Sequence, residues 1–258
     1  MTTTLSKLGH HQDKHQPHEA IVIDDLTQAF IDSPLSLAHR LQSFPRHVRR
    51  QDIARFLVKY ELFKLVLPVH GSVIEGGVFS GGGLMTWSHL SAILEPYNHT
   101  RRIVGFDTFT GFSDLRDQDV NAGISEHLQI GAFATHDSIM AEIHTLAAIH
   151  DRNRPLGHIE KIELVQGDAT VTIPQYVSEH PHLLVSLLYL DFDLYSPTKT
   201  ALEAFWPLMP KGAIVAFDEL NCQEFPGETR AFLEFVGSRS VALRRLPIDP
   251  YISYFAKE

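Results

Sequence analysis

The chain has 258 residues, 44% of them hydrophobic, which is enough to bury the core of one large domain with a small extension. Its formal charge of -9 disfavours nucleic acid or an anionic membrane surface as a partner. The single cysteine, Cys222, excludes an internal disulfide and agrees with a reducing compartment. No apolar run approaches the roughly 18 residues that a membrane span needs, and the first residues lack a signal-peptide core. We therefore expect a cytoplasmic protein with small-molecule partners.

Residues 1–23 are polar and unpatterned, which predicts a mobile tail. Its histidines are expected to be solvated rather than to grip a metal: His10, His11, His15 and His18. Residues 24–70 are predicted to form a helical extension, because apolar residues recur near helical spacing from Ile53 to Leu67 before Pro68 ends the run. This extension either covers the active site or forms a dimer contact, and we expect a homo-oligomer.

From residue 71 onward, predicted strands and helices alternate. The predicted strands are SVIEGGV, RIVGFD, KIELVQGD, LLVSLLYLDFD, GAIVAFDEL, VALRRLPI and YISYFAKE. The turn at Asp249-Pro250 is too short for a parallel crossover, so the last two strands are expected to pair antiparallel. Residues 71–258 are therefore predicted to form one α/β domain, a doubly wound Rossmann-like sheet of seven strands with one antiparallel.

A glycine-rich turn, Glu75 to Gly83, follows the first strand and has five glycines in nine residues. Such a turn before a helix can cradle an anionic or polar ligand, although it can also serve only to pack the helix on the sheet. It does not fit the dinucleotide pattern, because Phe79 stands where the middle glycine is needed, and no Gly-Lys-Ser/Thr follows. Glu75 before the turn suits a positively charged ligand.

Two further strands end in aspartates. Asp107 closes the second strand, where carboxylates of doubly wound folds bind ribose hydroxyls, and its alternative role is a cap or loop hydrogen bond. Asp168 follows the third strand, and contact with the adenine side of a nucleoside and capping of the next helix are equally weighted. These residues predict an adenosine-like ligand over the first three strands.

The fourth and fifth strands end in Asp191, Asp193, Asp218 and Glu219. Four carboxylates at one sheet edge repel one another unless a cation lies among them, so we predict a hard-metal site. The alternatives are that Asp191 or Asp193 caps the following helix and that Asp218 and Glu219 begin a solvated loop. A cationic adenosine-like ligand beside a metal-held hydroxyl indicates S-adenosylmethionine and a methyl acceptor.

The motifs VIEGGVFSGGG, VGFDTFTGF, LLYLDFDLYSPT, AIVAFDEL and ETRAFLEF resemble the macrocin O-methyltransferase type of class I methyltransferases. The resemblance implies a Mg-dependent enzyme that methylates sugar hydroxyls on natural products. It implies cofactor binding by Glu75, Gly77, Ser80, Gly81, Asp107, Thr108, Asp168 and Asp191. It also implies metal binding by Asp191, Asp218 and Glu219, with Asp193 as the general base. One departure is Glu219, because the family usually has two aspartates at Asp218-Glu219.

The predicted reaction moves a methyl group from S-adenosylmethionine to a hydroxyl of a glycosylated metabolite, a glycan or another diol, with Mg²⁺ chelating the acceptor. The long connection 108–138 is a candidate lid, and His127 and His136 are alternative bases. Two other functions stay open. Asp191-x-Asp193 also has the form of a glycosyltransferase metal site, and the fold could serve as a non-catalytic assembly subunit.

Overall fold

The computed structural model describes residues 21–121 and 128–258. The histidines of the predicted tail and His127 lie outside the described residues. Internal contacts divide the chain into two units, Met1–Leu57 and Val58–Glu258. This division lies within the predicted extension, and the predicted domain boundaries remain predictions.

The first unit is helical in its described part. It contains α1 (Val22–Ile31), α2 (Leu37–Gln42), a 3-10 turn (Phe44–Arg46) and the first residues of α3 (Arg50–Val66). The Arg40 guanidinium donates to the carbonyls of Phe30 at 2.8 Å and Ser33 at 2.7 Å, which ties α2 to the end of α1. Leu37 and Leu41 are well exposed. The dimer contact remains a prediction.

The second unit contains a seven-stranded sheet. Its strands are β1 (Ser72–Gly76), β2 (Ile103–Asp107), β3 (Ile162–Gln166), β4 (Val185–Leu190), β5 (Ile214–Phe217), β6 (Arg244–Arg245) and β7 (Ser253–Ala256). Its remaining helices are α4 (Gly82–Leu94), α5 (Ile139–Arg152), α6 (Ala169–Glu179), α7 (Tyr195–Phe205) and α8 (Gly227–Phe235). The strand order is β3-β2-β1-β4-β5-β7-β6, and β7 runs antiparallel to both of its neighbours. This confirms the predicted doubly wound sheet with one reversed strand.

Alternating side chains of the central strands bury two separate cores. Val73 and Leu187 pack on the face covered by α3 and α4. Ile74 and Leu188 pack on the opposite face against α6 and α7. Because both faces are covered, β1 and β4 read as continuous apolar runs. The polar residues at their carboxyl ends are thereby held on a rigid frame.

Several elements are shorter than predicted, or begin elsewhere. The fourth strand ends at Leu190 rather than continuing to Asp193, which has a left-handed φ of 63° and cannot extend a strand. The sixth strand is only Arg244–Arg245, because this exposed edge has little apolar surface to bury. Helix α6 begins at Ala169, directly after the third strand's turn, because Asp168 caps it.

No helix in the described part of the chain has the length and apolar character needed to cross a bilayer. The cytoplasmic location remains a prediction.

Candidate active site

The glycine turn and the first acidic loop meet at the carboxyl ends of β1 and β4. Asp191 N donates to Gly76 O at 2.8 Å. Gly77 has a φ of +84°, and a Cβ there would overlap the carbonyl oxygen of Asp191. The turn therefore requires glycine at this position both for its backbone angle and for its contact with the acidic loop. Open α/β sheets bind ligands at such a point, where the strand order reverses around β1.

Asp107 braces the glycine turn from the end of β2. Its Oδ2 accepts hydrogen bonds from Val78 N at 2.7 Å and Phe79 N at 2.8 Å, and its Oδ1 accepts from Phe109 N at 2.6 Å. Thr108 Oγ1 donates to Gly111 O at 2.7 Å and holds the next turn. The backbone around the predicted cofactor site is thus organised by these side chains. The predicted ribose contact remains a prediction.

The other predicted cofactor residues of the glycine turn lie just before α4. Ser80 is exposed, and Gly81, with a φ of +84°, precedes the first residue of α4. The backbone N–H groups of the first turn of a helix have no partner within the helix, so the start of α4 can receive a polar ligand.

Glu75 is buried beneath this turn. Its side chain is 2% exposed, and Oε1 lies 3.7 Å from Lys59 Nζ. Burial raises the pKa of Glu75 to about 7, and the neighbouring Lys59 ammonium opposes that rise. A Cβ at Gly83 would overlap Oε1, so the start of α4 packs directly on the carboxylate. Glu75 is therefore held in a buried site against the glycine turn.

Lys59 connects Glu75 to the acidic strand ends. Its Nζ lies 3.5 Å from the centre of the Tyr189 ring, a cation–π contact. The Tyr189 hydroxyl in turn donates a hydrogen bond to Asp218 Oδ1. Lys59 and Tyr189 were not singled out from the sequence. Lys59 does lie on the buried face of α3 with Phe63 and Val66. A lysine on the apolar face of a helix indicates a buried charge with a partner, and this sequence feature could have identified it.

The structure brings the predicted metal and base residues into one charged cluster. Asp193, Asp218 and Glu219 are buried, and Asp191 is half-buried. The pKa of Asp193 is raised well above its ordinary value by burial first, and then by the neighbouring carboxylates. Those neighbours are Glu219, Asp191, Glu228 and Asp218.

Glu228 is a fifth member of the cluster that the sequence analysis did not single out. Burial raises its pKa well above the ordinary value, followed by the charges of Asp191, Asp218 and Glu219. The sequence gives little indication of this role, because a glutamate near the start of a helix usually faces solvent and interacts favourably with the helix dipole.

The donors of the cluster fit a hard divalent cation. They are all carboxylate oxygens, the ligands that Mg²⁺ prefers, and their mutual repulsion is what a cation would relieve. Among residues 21–121 and 128–258, no three His, Cys, Asp or Glu side chains stand in the geometry of a metal site. Metal binding at Asp191, Asp218 and Glu219 would therefore require some of these side chains to turn.

Asp168 caps α6. Its Oδ1 accepts from Thr170 N at 2.9 Å, and Ser113 Oγ lies 3.5 Å from its Oδ2. The capping role weighed from the sequence is thus present, and the predicted adenine-side contact remains a prediction.

The long connection after β2 is tied to the helices that follow the acidic loops. Asp119 is 1% exposed, and its Oδ1 accepts from Tyr195 N, at the start of α7, at 2.6 Å. Arg230 of α8 donates to the carbonyl of Asp117 at 2.9 Å. His136 Nδ1 lies 2.8 Å from Ser138 Oγ just before α5, which gives it a local partner. The described part of this connection therefore lies beside the acidic cluster.

Backbone strain is concentrated at this edge of the sheet. Six non-glycine residues in the described part of the chain have a positive φ, and five of them follow β1, β2, β4 or β5 or lie in the long connection. They are Phe79, Phe109, Phe133, Asp193 and Asn221. Such residues cost about 1–3 kcal/mol each and cluster at functional sites. This concentration supports the carboxyl edge as the active site.

The model of the macrocin-O-methyltransferase (TylF) family matches residues 64–257. This range spans the glycine turn and both acidic loops. The chain belongs to the macrocin-O-methyltransferase family.

This macrocin-O-methyltransferase family member is similar to CalS11, an enzyme for which two structures have been solved. The calicheamicin methyltransferase CalS11 is 37% identical, with a TM-score of 0.90 over 94% of this chain and 93% of that one. An apo structure of CalS11, described as a TDP-rhamnose 3'-O-methyltransferase, is 35% identical with a TM-score of 0.81, over 94% and 95% of the two chains. The chain is therefore an O-methyltransferase by family and by resemblance to these structures.

The O-methyltransferase NovP shares the fold, at 17% identity and a TM-score of 0.62, over 93% of this chain and 98% of that one. No curated protein sequence matches the chain. The family is a methyltransferase family, which leaves the glycosyltransferase alternative without support.

Proposed function

We propose that the protein transfers a methyl group from S-adenosylmethionine to a sugar hydroxyl that lies beside a second hydroxyl. The observation that carries this proposal is the direct backbone contact between the glycine turn and the acidic loop at Gly77 and Asp191. A methyl donor bound at the turn and an acceptor bound at the loop would be neighbours there. The predicted sugar acceptor draws support from CalS11, which acts on TDP-rhamnose.

In this proposal the chain holds the donor through the glycine turn. Glu75 presents negative charge beneath the turn, which suits the cationic donor, and Asp107 fixes the turn's backbone. The remaining proposed donor contacts are Gly77, Ser80, Gly81, Thr108, Asp168 and Asp191. Positioning of donor and acceptor supplies much of the rate in such a transfer, because the displacement requires tight alignment.

At the acidic loops, Asp191, Asp218 and Glu219 would hold Mg²⁺. A bound divalent cation lowers the pKa of a coordinated hydroxyl, so the hydroxyl loses its proton more readily when it accepts the methyl group. Asp193 would accept the proton of the acceptor hydroxyl. Burial and the surrounding carboxylates raise the pKa of Asp193, and a cation held among them would oppose that rise and favour the ionised form that can accept a proton.

A methyl-transfer assay with isotope-labelled S-adenosylmethionine tests the proposal. The acceptors are TDP-rhamnose, other TDP-deoxysugars, free sugars and a catechol, each with Mg²⁺ and with a chelator. We expect labelled sugar only with the metal present, and a rate at least 100-fold lower in Asp193→Asn, the usual range for a lost general base. Donor binding in that variant, measured by titration calorimetry, should match the wild type.

Absence of donor binding in the wild type would refute the methyltransferase proposal. Methylation that continues at full rate with the chelator would contradict the role of the metal. Methylation of the catechol alone would contradict a sugar as the acceptor.

A further inference from the structure

One buried carboxylate joins the two acidic loops. Glu228 lies in the first turn of α8 and is 0% exposed. Its Oε1 accepts hydrogen bonds from Phe192 N at 3.0 Å and Asp193 N at 3.3 Å, in the loop after β4. Its Oε2 accepts from Glu219 N at 3.3 Å, in the loop after β5. The two oxygens of one side chain therefore bind the backbone of both loops.

The bond to the first loop supports a strained residue. Asp193 has a φ of 63°, a left-handed conformation that a non-glycine residue adopts at a cost. Successive backbone N–H groups in such a turn form a concavity that binds an anion. The N–H groups of Phe192 and Asp193 converge on the single oxygen Oε1, so the Glu228 carboxylate fills that concavity. These two hydrogen bonds stabilise the turn that presents the Asp193 side chain.

Helix α8 is placed closely enough for this contact because its first residue is glycine. A Cβ at Gly227 would lie 2.5 Å from Tyr195 N and 2.8 Å from Asp193 O, both backbone atoms. The start of α8 thus packs directly on the backbone of the first loop. Glu228, the next residue, reaches between the loops from this fixed position.

We propose that Glu228 is a positioning residue, whose carboxylate sets the spacing and orientation of the loops that carry Asp193 and Glu219. The inference rests on the proposed function, in which these loops form the reacting centre. Glu228 itself has both oxygens engaged by backbone N–H groups and would contact neither donor nor acceptor.

The variant Glu228→Gln tests this role because it preserves size. A glutamine has one acceptor oxygen, so it cannot accept from both loops, and its NH₂ group faces a backbone N–H on one side. In the ligand-free protein we expect hydrogen exchange at the amides of Phe192, Asp193 or Glu219 to be about 10-fold faster or more, because the hydrogen bond that protects the amide is lost. This readout depends on neither metal nor activity.

Two further measurements separate positioning from a merely local bond. We expect the affinity for Mn²⁺, measured by electron paramagnetic resonance, to fall about 10-fold, and kcat to fall at least as much. The KM for S-adenosylmethionine should change by less than about 3-fold, because the glycine turn is untouched. Glu203→Gln, the same change at an exposed residue of α7, is the control and should leave all of these values unchanged.

Unchanged exchange at all three amides in the folded variant would overturn the proposal, as would faster exchange with normal Mn²⁺ affinity and kcat. Should Glu228→Gln fail to fold, Glu228→Asp carries the same measurements, since it keeps the charge but is too short to reach both loops. A wild-type protein that binds neither Mn²⁺ nor S-adenosylmethionine would refute the proposed function. Faster exchange in the variant would then still support the contact between the loops.

Discussion

The Tyr189 hydroxyl is the only part of that side chain that a phenylalanine would lack. Because it donates to the buried Asp218, Tyr189→Phe should remove one hydrogen bond to a carboxylate and keep the ring under Lys59. We expect the free energy of unfolding to fall by about 1–3 kcal/mol. Urea unfolding near neutral pH measures it.

Tyr195→Phe is the control, because the Tyr195 hydroxyl also donates to a carboxylate, that of Glu234, whose side chain is exposed. This variant also removes the bond that Lys199 Nζ donates to the hydroxyl at 3.2 Å. Its effect should stay below about 1 kcal/mol. Equal losses of unfolding free energy in the two variants would show that the buried bond to Asp218 stabilises the protein no more than the exposed bond to Glu234.

Glu75 should make stability depend on pH. Its pKa is raised to about 7 by burial, so between the ordinary value of 4.5 and about 7 the native chain binds this proton more tightly than the unfolded chain. The stability that the protonated carboxyl contributes is complete below the ordinary value and is lost as the pH rises to about 7.

The comparison with Glu75→Gln isolates this effect, because the glutamine does not titrate. The wild type should lose on the order of 3 kcal/mol relative to the variant as the pH rises through this range. Urea unfolding at several pH values between about 5 and 8 measures the difference. Parallel pH profiles for the two proteins would contradict the buried, raised carboxyl.

Buried charges such as Lys59 and Glu228 mark the limit of what the sequence could predict about single residues. The four carboxylates after β4 and β5 could be predicted because each pair stands at the end of an apolar run. Lys59 and Glu228 sit within helices, where a charged residue normally faces water. Only the packing of α3 and α8 on the sheet turns these two side chains inward.

At the scale of elements, two glycines near the start of α4 should differ in whether they tolerate a side chain. Gly77→Ala places a Cβ against the Asp191 carbonyl and forces alanine into a left-handed φ. We expect a loss of about 2–4 kcal/mol of stability and at least 10-fold weaker binding of S-adenosylmethionine. Thermal unfolding and titration calorimetry measure the two effects.

Gly82→Ala is the control within the same turn. A Cβ at Gly82 would meet nothing within 4 Å, and the residue is the first of α4. Its stability should change by less than about 1 kcal/mol, in the stabilising direction, because alanine loses less entropy on folding. Similar losses for both variants would show that the contact with Asp191 is unimportant.

The existence of most elements could be predicted from the sequence, and their ends could not. The apolar runs of β4 and β5 locate these strands, but their last residues depend on where the backbone turns away, as at Asp193. Strand β6 pairs with β7 only at Arg244 and Arg245, so the predicted run VALRRLPI forms a strand over two residues alone. Boundaries set by tertiary contacts carry no local signal.

For the whole molecule, alternation of strands and helices predicted the doubly wound class, while the family resemblance supplied the specific fold and activity. Which strands are neighbours does not follow from local pattern. The placement of β7 between β5 and β6 was not predicted, although the antiparallel pairing of the last two strands was. The direct contact between the glycine turn and the first acidic loop depends on the pairing of β1 with β4.

The pairing of β1 with β4 also affects the order of events when the chain refolds. Glu75 lies opposite Tyr189 in the register of β1 and β4, although three helices and two strands separate them along the chain. Contacts between distant segments form slowly, because the entropy of closing the intervening loop is lost before the contact is gained. A refolding chain therefore holds its glycine turn and its acidic loops apart until the centre of the sheet closes, so recovery of activity should be among the last events of renaturation.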